Sequence, residues 1–153
     1  MEHLNRLLIM MFSKSCEYAL KAVIHICMET KDGRRLSIAE IAQAIESPEP
    51  FTAKILQTLA RHKVVSSAKG PGGGFYIADG APPIVVMDLV KLIDGSSAFE
   101  RCGLGLKQCD ERHPCPIHNQ FKAYSVRLKK MLETKTVQDF AKEIKSGRAF
   151  LLN

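Results

Sequence analysis

Apolar residues recur at three- and four-residue intervals along several segments of the chain, and this spacing predicts helices. The first such stripe lies in residues 13–28. The sequence Ser37-Ile38-Ala39-Glu40 is a capping box that predicts a second helix running to about Ile45. Ser47-Pro48-Glu49 predicts a third helix, with Ser47 as its cap, that ends near His62. Two short helices with a tight connection, the second of them basic, predict a helix-turn-helix.

The segment after the third helix has the pattern of a hairpin. Val64-Val65-Ser66-Ser67 and Phe75-Tyr76-Ile77 predict two strands, and the sequence Lys69-Gly70-Pro71-Gly72-Gly73-Gly74 lies between them. Glycines permit positive φ and leave backbone N–H groups accessible, so this hairpin, here called the wing, can lie against phosphates or enter a minor groove. A nucleotide-binding loop is excluded because the GK[ST] sequence is missing and no helix begins directly after Gly74. A merely flexible hairpin is the alternative.

The second half of the chain has a different pattern. Beyond Pro82-Pro83, residues 84–93 form an apolar run that stops at Asp94-Gly95, a helix-end signal. Residues 96–116 carry no periodicity and are called the cysteine loop below. An apolar seam with steps of four, three, four and three residues then predicts a long helix that pairs with a second copy or packs on its own chain. The apolar seam consists of Ile117, Phe121, Tyr124, Leu128 and Met131. Residues 137–144 predict a last short helix.

Length and charge define the organisation and the class of partner. The 153 residues predict one domain with an appendage: a winged helix-turn-helix DNA-binding domain at 11–80 and a cysteine-loop and dimerisation region at 81–153. The net charge is +6, and residues 51–78 contain no Asp or Glu. An anionic partner is therefore favoured. On the third helix, the side opposite the apolar residues carries base- and phosphate-contacting types, although a solvated helix face is the alternative. These residues are Lys54, Gln57 and Arg61.

The N-terminal apolar patch, residues 7–12, is too short to span a bilayer and lacks a signal-peptide cleavage site. The sequence therefore predicts a cytoplasmic protein without a membrane partner, and Met10 or Met11 is an alternative start. The five cysteines are an odd number, which argues against a disulfide framework and favours metal binding, redox chemistry or burial. Cys16 and Cys27, on the first helix, are expected to be core or surface thiols.

Three cysteines, Cys102, Cys109 and Cys115, are spaced C-x6-C-x5-C in the cysteine loop. Thiolates are ligands of iron–sulfur clusters and of zinc, but zinc sites usually contain a C-x(2–4)-C pair, which this loop lacks. The wider spacing predicts a cluster, with three unligated thiols as the alternative. A fourth position is then open to a weaker ligand. The candidates are His118, Asp110, Glu111 or a carboxylate from elsewhere.

Several of these motifs together resemble the IscR/NsrR-type winged-helix transcription regulators, also called the Rrf-two family. The resemblance covers nearly the whole chain from Met11 onward. It rests on Ser13-Lys14-Ser15-Cys16-Glu17-Tyr18-Ala19-Leu20, Ile55-Leu56-Gln57-Thr58-Leu59, Gly70-Pro71-Gly72-Gly73-Gly74-Phe75, the three-cysteine loop and Pro116-Ile117-His118. It implies a mainly α fold with a small β wing, in which a long helix pairs two subunits.

The resemblance also implies a homodimer on partly palindromic promoter DNA. Three cysteines of one subunit would hold a [2Fe-2S] or [4Fe-4S] cluster together with a fourth residue. In some members that residue matches His118, and in others it matches Glu17 of the partner subunit; both are present here. The first cysteine spacing is one residue longer than in several members, and cluster-free members exist.

The leading hypothesis is a dimeric repressor whose cluster responds to nitric oxide, oxidants or iron supply and repositions its two DNA-binding domains. Lys54, Gln57 and Arg61 are predicted to contact the major groove. The wing residues predicted to hold the flanking backbone are Lys69, Gly72, Gly73 and Gly74. Alternatives are a small iron–sulfur electron-transfer protein and a regulator with a structural zinc or a thiol switch. Enzymatic hydrolysis is not expected because no residue marks an oxyanion site.

Overall fold

The computed structural model of the chain describes residues 11–152. Residues 7–10 of the predicted N-terminal apolar patch lie outside this range. Two short 3-10 turns lie at Lys31–Gly33 and Ser96–Phe99. The helices are α1 (Lys14–Glu29), α2 (Ile38–Ala44), α3 (Glu49–Arg61), α4 (Val86–Asp94), α5 (His118–Thr134) and α6 (Val137–Lys145), and the strands are β1 (Ser66–Ala68) and β2 (Gly74–Tyr76). The predicted class, mainly α with a small β wing, is confirmed.

Side-chain caps fix where α1, α2 and α6 begin. Ser13 is the N-cap of α1 and accepts a hydrogen bond from the Cys16 N–H. At α2 the predicted capping box is confirmed, since Ser37 and Glu40 each bond the other's backbone N–H. Thr136 forms a similar box at the start of α6. Each cap satisfies N–H groups that have no partner inside the helix, so these starts are determined by local sequence.

The predicted cap at α3 is wrong by one residue. Pro48 occupies the N-cap position, and no side chain caps the helix. Ser47 instead ends α2: Glu46 adopts φ +52°, and the Ser47 N–H donates to the Ala42 carbonyl at 3.0 Å. This is the Schellman arrangement of a helix C-terminus. It turns the Ser47 hydroxyl into the interior, where it has no hydrogen-bond partner within the described part of the chain.

The wing is shorter than predicted at its start because the same arrangement ends α3. Lys63 adopts φ +58°, and the Val64 N–H donates to the Leu59 carbonyl at 2.9 Å. Val64 and Val65 therefore close the helix and pack into the core instead of extending β1. The strands β1 and β2 are antiparallel, with Ser67 opposite Phe75.

A third extended segment joins the wing to the rest of the domain. Leu36, just before α2, forms an antiparallel bridge with Phe75 on β2. The Leu36 N–H donates to the Phe75 carbonyl at 3.0 Å, and the Phe75 N–H donates to the Leu36 carbonyl at 2.8 Å. Leu36 is buried and Phe75 packs against the same core. The base of the wing is thus attached to the helix-turn-helix by both backbone bonds and apolar contacts.

One hydrophobic core unites the two predicted regions around α1. Buried residues of α1, α2 and α3 pack in the same cluster as Leu89 of α4 and Val137 and Ala141 of α6. A second cluster joins the N-terminus of α1 to α4 and to the end of α5 through Cys16, Val86 and Leu132. The division at residue 80 stays a prediction about function, because the packing crosses it. None of the helices in residues 11–152 has the length and apolar character needed to span a bilayer.

Candidate metal centre and nucleic-acid interface

The cysteine loop folds back so that its cysteines and His118 form two close pairs. The sulfur atoms of Cys102 and Cys115 are 3.9 Å apart. The Cys109 sulfur lies 3.4 Å from Nδ1 of His118, the first residue of α5. The backbone N–H of His118 donates to the Cys115 carbonyl at 3.0 Å. This bond holds His118, of the second pair, close to Cys115, of the first pair. The structure therefore brings the predicted thiols and imidazole to the N-terminus of α5.

The surroundings of Cys102 favour its thiolate form. The backbone N–H of Leu104, then that of Leu106, lower the pKa of Cys102, with smaller contributions in the same direction from Cys115 and Gly105. Partial burial acts in the opposite direction. Gly105 makes the turn possible with φ +72°. Backbone N–H groups directed at a sulfur atom are suited to a thiolate that ligates a metal.

His118 has a ring nitrogen available to a ligand. The residue is only 6% exposed, and its Nε2 atom has no hydrogen-bond partner among residues 11–152. A buried polar atom without a partner costs free energy and calls for an explanation, such as an ion that would fill the position. In that range, however, no three His, Cys, Asp or Glu side chains are close enough to hold a single metal ion. The four donors stand as two pairs.

Of the other candidate ligands, Asp110 forms an ion pair with His113, and Glu111 lines the same cavity as Cys109 and His118, where it pairs with Lys122. The remaining carboxylate and thiols named from the sequence lie on α1. Glu17 is on α1, where it forms an ion pair with Lys14 at 3.1 Å, and within the described chain it makes no hydrogen bond to the cysteine loop. Cys16 and Cys27 are buried in the core. Burial, helped by the nearby Asp94 carboxylate, raises the pKa of Cys16 to about 12, and burial also raises the pKa of Cys27. Both thiols are therefore neutral core residues.

A glycine and an aromatic residue hold the cysteine loop against α5. A Cβ atom on Gly103 would lie 2.8 Å from the Phe121 ring, so only glycine permits this contact. Phe121 is half-buried beneath the loop. Beside it opens a cavity of about 550 Å³ whose wall includes Cys109 and His118. The sequence pattern did not indicate this cavity. Its charged lining consists of Lys91, Arg101, Lys122, Lys129, Glu100 and Glu111. Glu111 forms an ion pair with Lys122.

The apolar seam of α5 is divided between two environments. Phe121 and Leu128 are half-buried, and Leu128 packs with the buried Leu132, which the seam prediction did not include. The other three residues face solvent in the single chain. They are Ile117, 37% exposed, Tyr124, 54% exposed, and Met131, 40% exposed. They recur every seven residues, so they form one row along the helix.

The side of α3 that was predicted to contact DNA is exposed to solvent. Lys54, Gln57 and Arg61 are all exposed, whereas Ile55, Leu56 and Leu59 are buried on the other side. Because basic and amide side chains are free of the core, they can reach base edges or phosphates. Their role as DNA contacts stays a prediction, since no nucleic acid is present.

At the wing tip, the glycines differ in what they do. Lys69 and Gly72 are exposed, and Gly72 has φ +71° with open space around it. A Cβ on Gly73 would lie 2.3 Å from the Ala68 carbonyl oxygen, and one on Gly74 would lie 2.5 Å from that of Leu36. Gly73 and Gly74 are therefore required by the packing of the hairpin, whatever they contact in DNA. Of the three, Gly72 alone presents an unobstructed backbone.

One exposed cation beside the wing was not predicted. The Arg35 guanidinium lies 5.2 Å from the centre of the Tyr76 ring. Arg35 precedes Leu36 in the third extended segment, so its side chain lies on the outer face of the small sheet. The Arg34-Arg35 pair is the signal in the sequence, but it becomes informative once the segment is known to join the wing.

Comparison with known proteins gives consistent results. The model of the Rrf2 family, described as iron-dependent transcriptional regulators, matches residues 12–143. A candidate HTH-type transcriptional regulator of Aquifex aeolicus is 30% identical over 132 residues, which cover 85% of this chain and 90% of that protein. The transcriptional regulator IscR of Sodalis glossinidius is 25% identical over 122 residues, or 80% of this chain and 73% of its own length.

Solved structures share the fold. CymR, the global cysteine regulator of B. subtilis, superposes with a TM-score of 0.69 at 20% identity, covering 86% of this chain and 95% of its own. T. potens IscR superposes with a TM-score of 0.65 at 17% identity, covering 90% of each chain. At these identities the match concerns the fold alone. Together with the matched family model, it means that this chain belongs to the Rrf2 family of transcriptional regulators.

Proposed function

We propose that this regulator is a dimeric repressor whose operator binding is controlled by an iron–sulfur cluster. Cys102, Cys109 and Cys115 would hold the cluster, with His118 as the fourth ligand. The observation that carries this proposal is the convergence of the donors at the start of α5, where Cys109 and His118 are 3.4 Å apart and Cys102 and Cys115 are 3.9 Å apart. A family described as iron-dependent supports the same chemistry.

The donor set suits this cofactor in type. Thiolates are the usual ligands of iron–sulfur clusters, and imidazole replaces thiolate in some of them. The lowered pKa of Cys102 supports a thiolate, and the unpartnered Nε2 of the buried His118 supports a ligand at that atom. When bound, a cluster supplies reactivity toward nitric oxide and oxidants and a dependence on iron supply. The chain itself contributes the ligands and the packing that connects them to α4 and α5.

His118 is preferred to Glu17 as fourth ligand because of its position. Its ring already contacts Cys109, whereas Glu17 pairs with Lys14 on the surface of α1. Glu17 would have to reach the cluster from a second subunit. The exposed row of Ile117, Tyr124 and Met131 is the surface proposed for pairing two subunits, since three large apolar side chains facing solvent on one side of a helix are typical of an interface.

The decisive experiment is purification without oxygen, followed by a visible absorption spectrum and by iron and sulfide counts. We expect a coloured protein with acid-labile sulfide. Operator DNA, selected by the purified protein from a random-sequence duplex library, should bind with different affinity before and after the iron is removed. A colourless, iron-poor protein would contradict the proposal, and so would an affinity that ignores iron content.

Single substitutions then identify the ligands. Cys102→Ala, Cys109→Ala and Cys115→Ala should each abolish the colour, while Cys27→Ala, which removes a core thiol, should retain it. His118→Ala should destabilise or alter the cluster, and Glu17→Ala should not. His113→Ala is the matched control for His118, because His113 lies in the cysteine loop with its side chain exposed. A cluster that survives His118→Ala but not Glu17→Ala would assign the fourth ligand to α1 of the partner subunit.

DNA binding by the wing has its own test. Binding that neutralises phosphates weakens as salt rises, and each phosphate contact contributes about 0.9 to the slope of log affinity against log salt. Lys69→Ala should therefore lower the slope by about 0.9. Lys142→Ala, which removes an exposed lysine from α6, should leave it unchanged. An unchanged slope in Lys69→Ala would remove Lys69 from the interface.

A second candidate function, a thiol switch, is favoured by one observation. The Cys102 and Cys115 sulfurs are close enough to form a disulfide after a small movement, and CymR of Staphylococcus aureus has been solved in a form described as oxidised, with a TM-score of 0.64 to this chain. In the iron-free protein, peroxide would accept the two thiol hydrogens and their bonding electrons, giving water and a Cys102–Cys115 disulfide. Mass spectrometry after peroxide treatment, with and without bound iron, separates this function from the first.

A further inference from the structure

A carboxylate at the end of α4 holds the beginning of α1. Asp94, the last residue of α4, accepts a hydrogen bond from the Ser13 N–H at 2.8 Å through Oδ2. Its Oδ1 atom accepts a second hydrogen bond from the Ser13 hydroxyl. Ser13 is also the N-cap of α1 and accepts from the Cys16 N–H at 3.1 Å. The two carboxylate oxygens thus bind both polar groups of the residue that starts α1.

Asp94 stands where the cysteine loop is attached to the fold. Gly95 follows it with φ +81°, a conformation that ends α4, and the loop begins at the next residue. At its other end the loop is continuous with α5. The second hydrophobic cluster connects α5 to the same end of α1 through Leu132 and Cys16. The loop is therefore connected to the N-terminus of α1 in two ways. One connection is the pair of hydrogen bonds between Asp94 and Ser13, and the other is the apolar packing of Leu132 with Cys16.

The helix α1 in turn contacts α3, the helix predicted to contact the major groove. Tyr18, one turn into α1, packs edge-on against Phe51 of α3 with ring centres 5.6 Å apart. The buried side of α3 shares the main core with α1 through Ile55, Leu56 and Leu59. A shift of α1 along or about its axis would therefore change the position of α3, because close-packed interiors transmit displacement.

We propose that Asp94 is a positioning residue that transmits the state of the metal centre to the DNA-binding helices through its hydrogen bonds to Ser13. This inference rests on the proposed function and specifies how its regulation operates within one chain. Coupling between two sites requires an element whose arrangement both sites influence. The Asp94–Ser13 pair qualifies because one partner belongs to the attachment point of the cysteine loop and the other caps the helix that packs on α3.

The test measures the ratio of operator affinities with and without iron, in the full-length chain purified without oxygen. Asp94→Ala should load the same amount of iron and sulfide as the unmodified protein. Its affinity ratio should fall toward one, and because such couplings typically amount to about 5–150-fold, the loss is measurable by titration. Ser13→Thr keeps the hydroxyl and should keep the ratio, whereas Ser13→Ala should reduce it. Asp88→Ala, on the exposed side of α4, is the matched control and should behave like the unmodified protein.

Each outcome has a separate meaning. If Asp94→Ala and Ser13→Ala load iron and retain the full affinity ratio, the positioning role is wrong while the proposed function stands. If the unmodified protein holds no iron, or binds DNA equally in both states, the proposed function and the positioning role both fail. If Asp94→Ala does not fold, the comparison of Ser13→Ala with Ser13→Thr decides, since both retain the carboxylate.

Discussion

The two long helices α1 and α5 differ in burial although they are nearly equal in length. Over its 16 residues α1 buries seven side chains, and they belong to cores to which α2, α3, α4, α5 and α6 all contribute. Over its 17 residues α5 buries two, His118 and Leu132. Since helices of this size are stabilised mainly by packing of an apolar face, α1 gains more from packing within one chain than α5 does. The difference means that α1 organises the fold, and the proposed pairing of two subunits would add packing to α5.

The same contrast extends to the chemistry of the two helices. The thiols of α1 are buried, and burial keeps their pKa values high, so they serve as core residues. Before α5, Cys109 lies next to His118, and backbone N–H groups surround Cys102. Thus the cysteines of the two halves have opposite surroundings, and the surroundings of the loop thiols suit the ligand role proposed for them.

The largest expected effect comes from removing a core side chain of α1. Ile26 is fully buried, and Ile26→Ala should lower the free energy of unfolding by about 2–5 kcal/mol, because it deletes buried methyl groups and leaves a cavity. Urea titration followed by circular dichroism measures this loss. Val126→Ala on α5, where the side chain is 59% exposed, should change it by less than about 0.5 kcal/mol. Similar losses in the two variants would break the contrast between the helices.

The next effect concerns association. Tyr124→Glu places a charge in the exposed row of α5 and should convert a dimer into a monomer in sedimentation velocity, with a corresponding loss of operator affinity. Val126→Glu alters an equally exposed residue two positions away, on the other side of the helix, and should leave the dimer intact. If both variants remain dimeric, the row of Ile117, Tyr124 and Met131 is not the pairing surface.

A smaller effect is expected at the junction of α5 and α6. Thr136→Ala removes the cap of α6, which packs against α1, and should cost about 1 kcal/mol. Thr134, the last residue of α5, bonds only carbonyls of its own helix, and Thr134→Ala should be close to neutral. Thermal unfolding of the two variants side by side measures the difference. A larger loss in Thr134→Ala would contradict the stabilising role of the Thr136 cap at the start of α6.

The smallest effect is a pH dependence that originates on α1. Burial lowers the pKa of His25 from its ordinary 6.5, with a further lowering by Arg34 that is opposed by Glu29 and Glu40. The folded state therefore binds fewer protons, and the stability contributed by the neutral ring is present above the ordinary pKa and lost as pH falls through the lowered one. Urea midpoints at about pH 7.5 and 5.5 should differ less in His25→Gln than in the unmodified protein. An unchanged difference would refute the assignment.

The regular elements of the fold could be predicted because their signals are local. Ser37 with Glu40, and Asp94 followed by Gly95, mark helix ends by side-chain chemistry and backbone freedom that do not depend on distant residues. The errors arose where two elements share a residue. Ser47 is a residue type that caps helices, yet its backbone belongs to the turn that ends α2, and α3 begins after Pro48. The sequence alone does not reveal to which helix end Ser47 belongs.

The site could be predicted in composition but not in arrangement. The spacing of the three cysteines indicates a metal site, whereas the division of the donors into Cys102 with Cys115 and Cys109 with His118 depends on how Gly103 packs against Phe121. Arg35 and Asp94 were missed for a related reason. Their partners Tyr76 and Ser13 are far away along the chain, so neither contact leaves a periodic signal.

The bridge between Leu36 and Phe75 has a consequence for which operator sequences the protein would select. The two backbone hydrogen bonds of this bridge hold the base of the hairpin beside the start of α2. If α3 and the wing contact DNA as proposed, each subunit would span a nearly constant length of duplex. Operators of unequal groove geometry would then be matched by deformation of the DNA, so flexible base steps outside the contacted positions should be favoured among the sequences it selects.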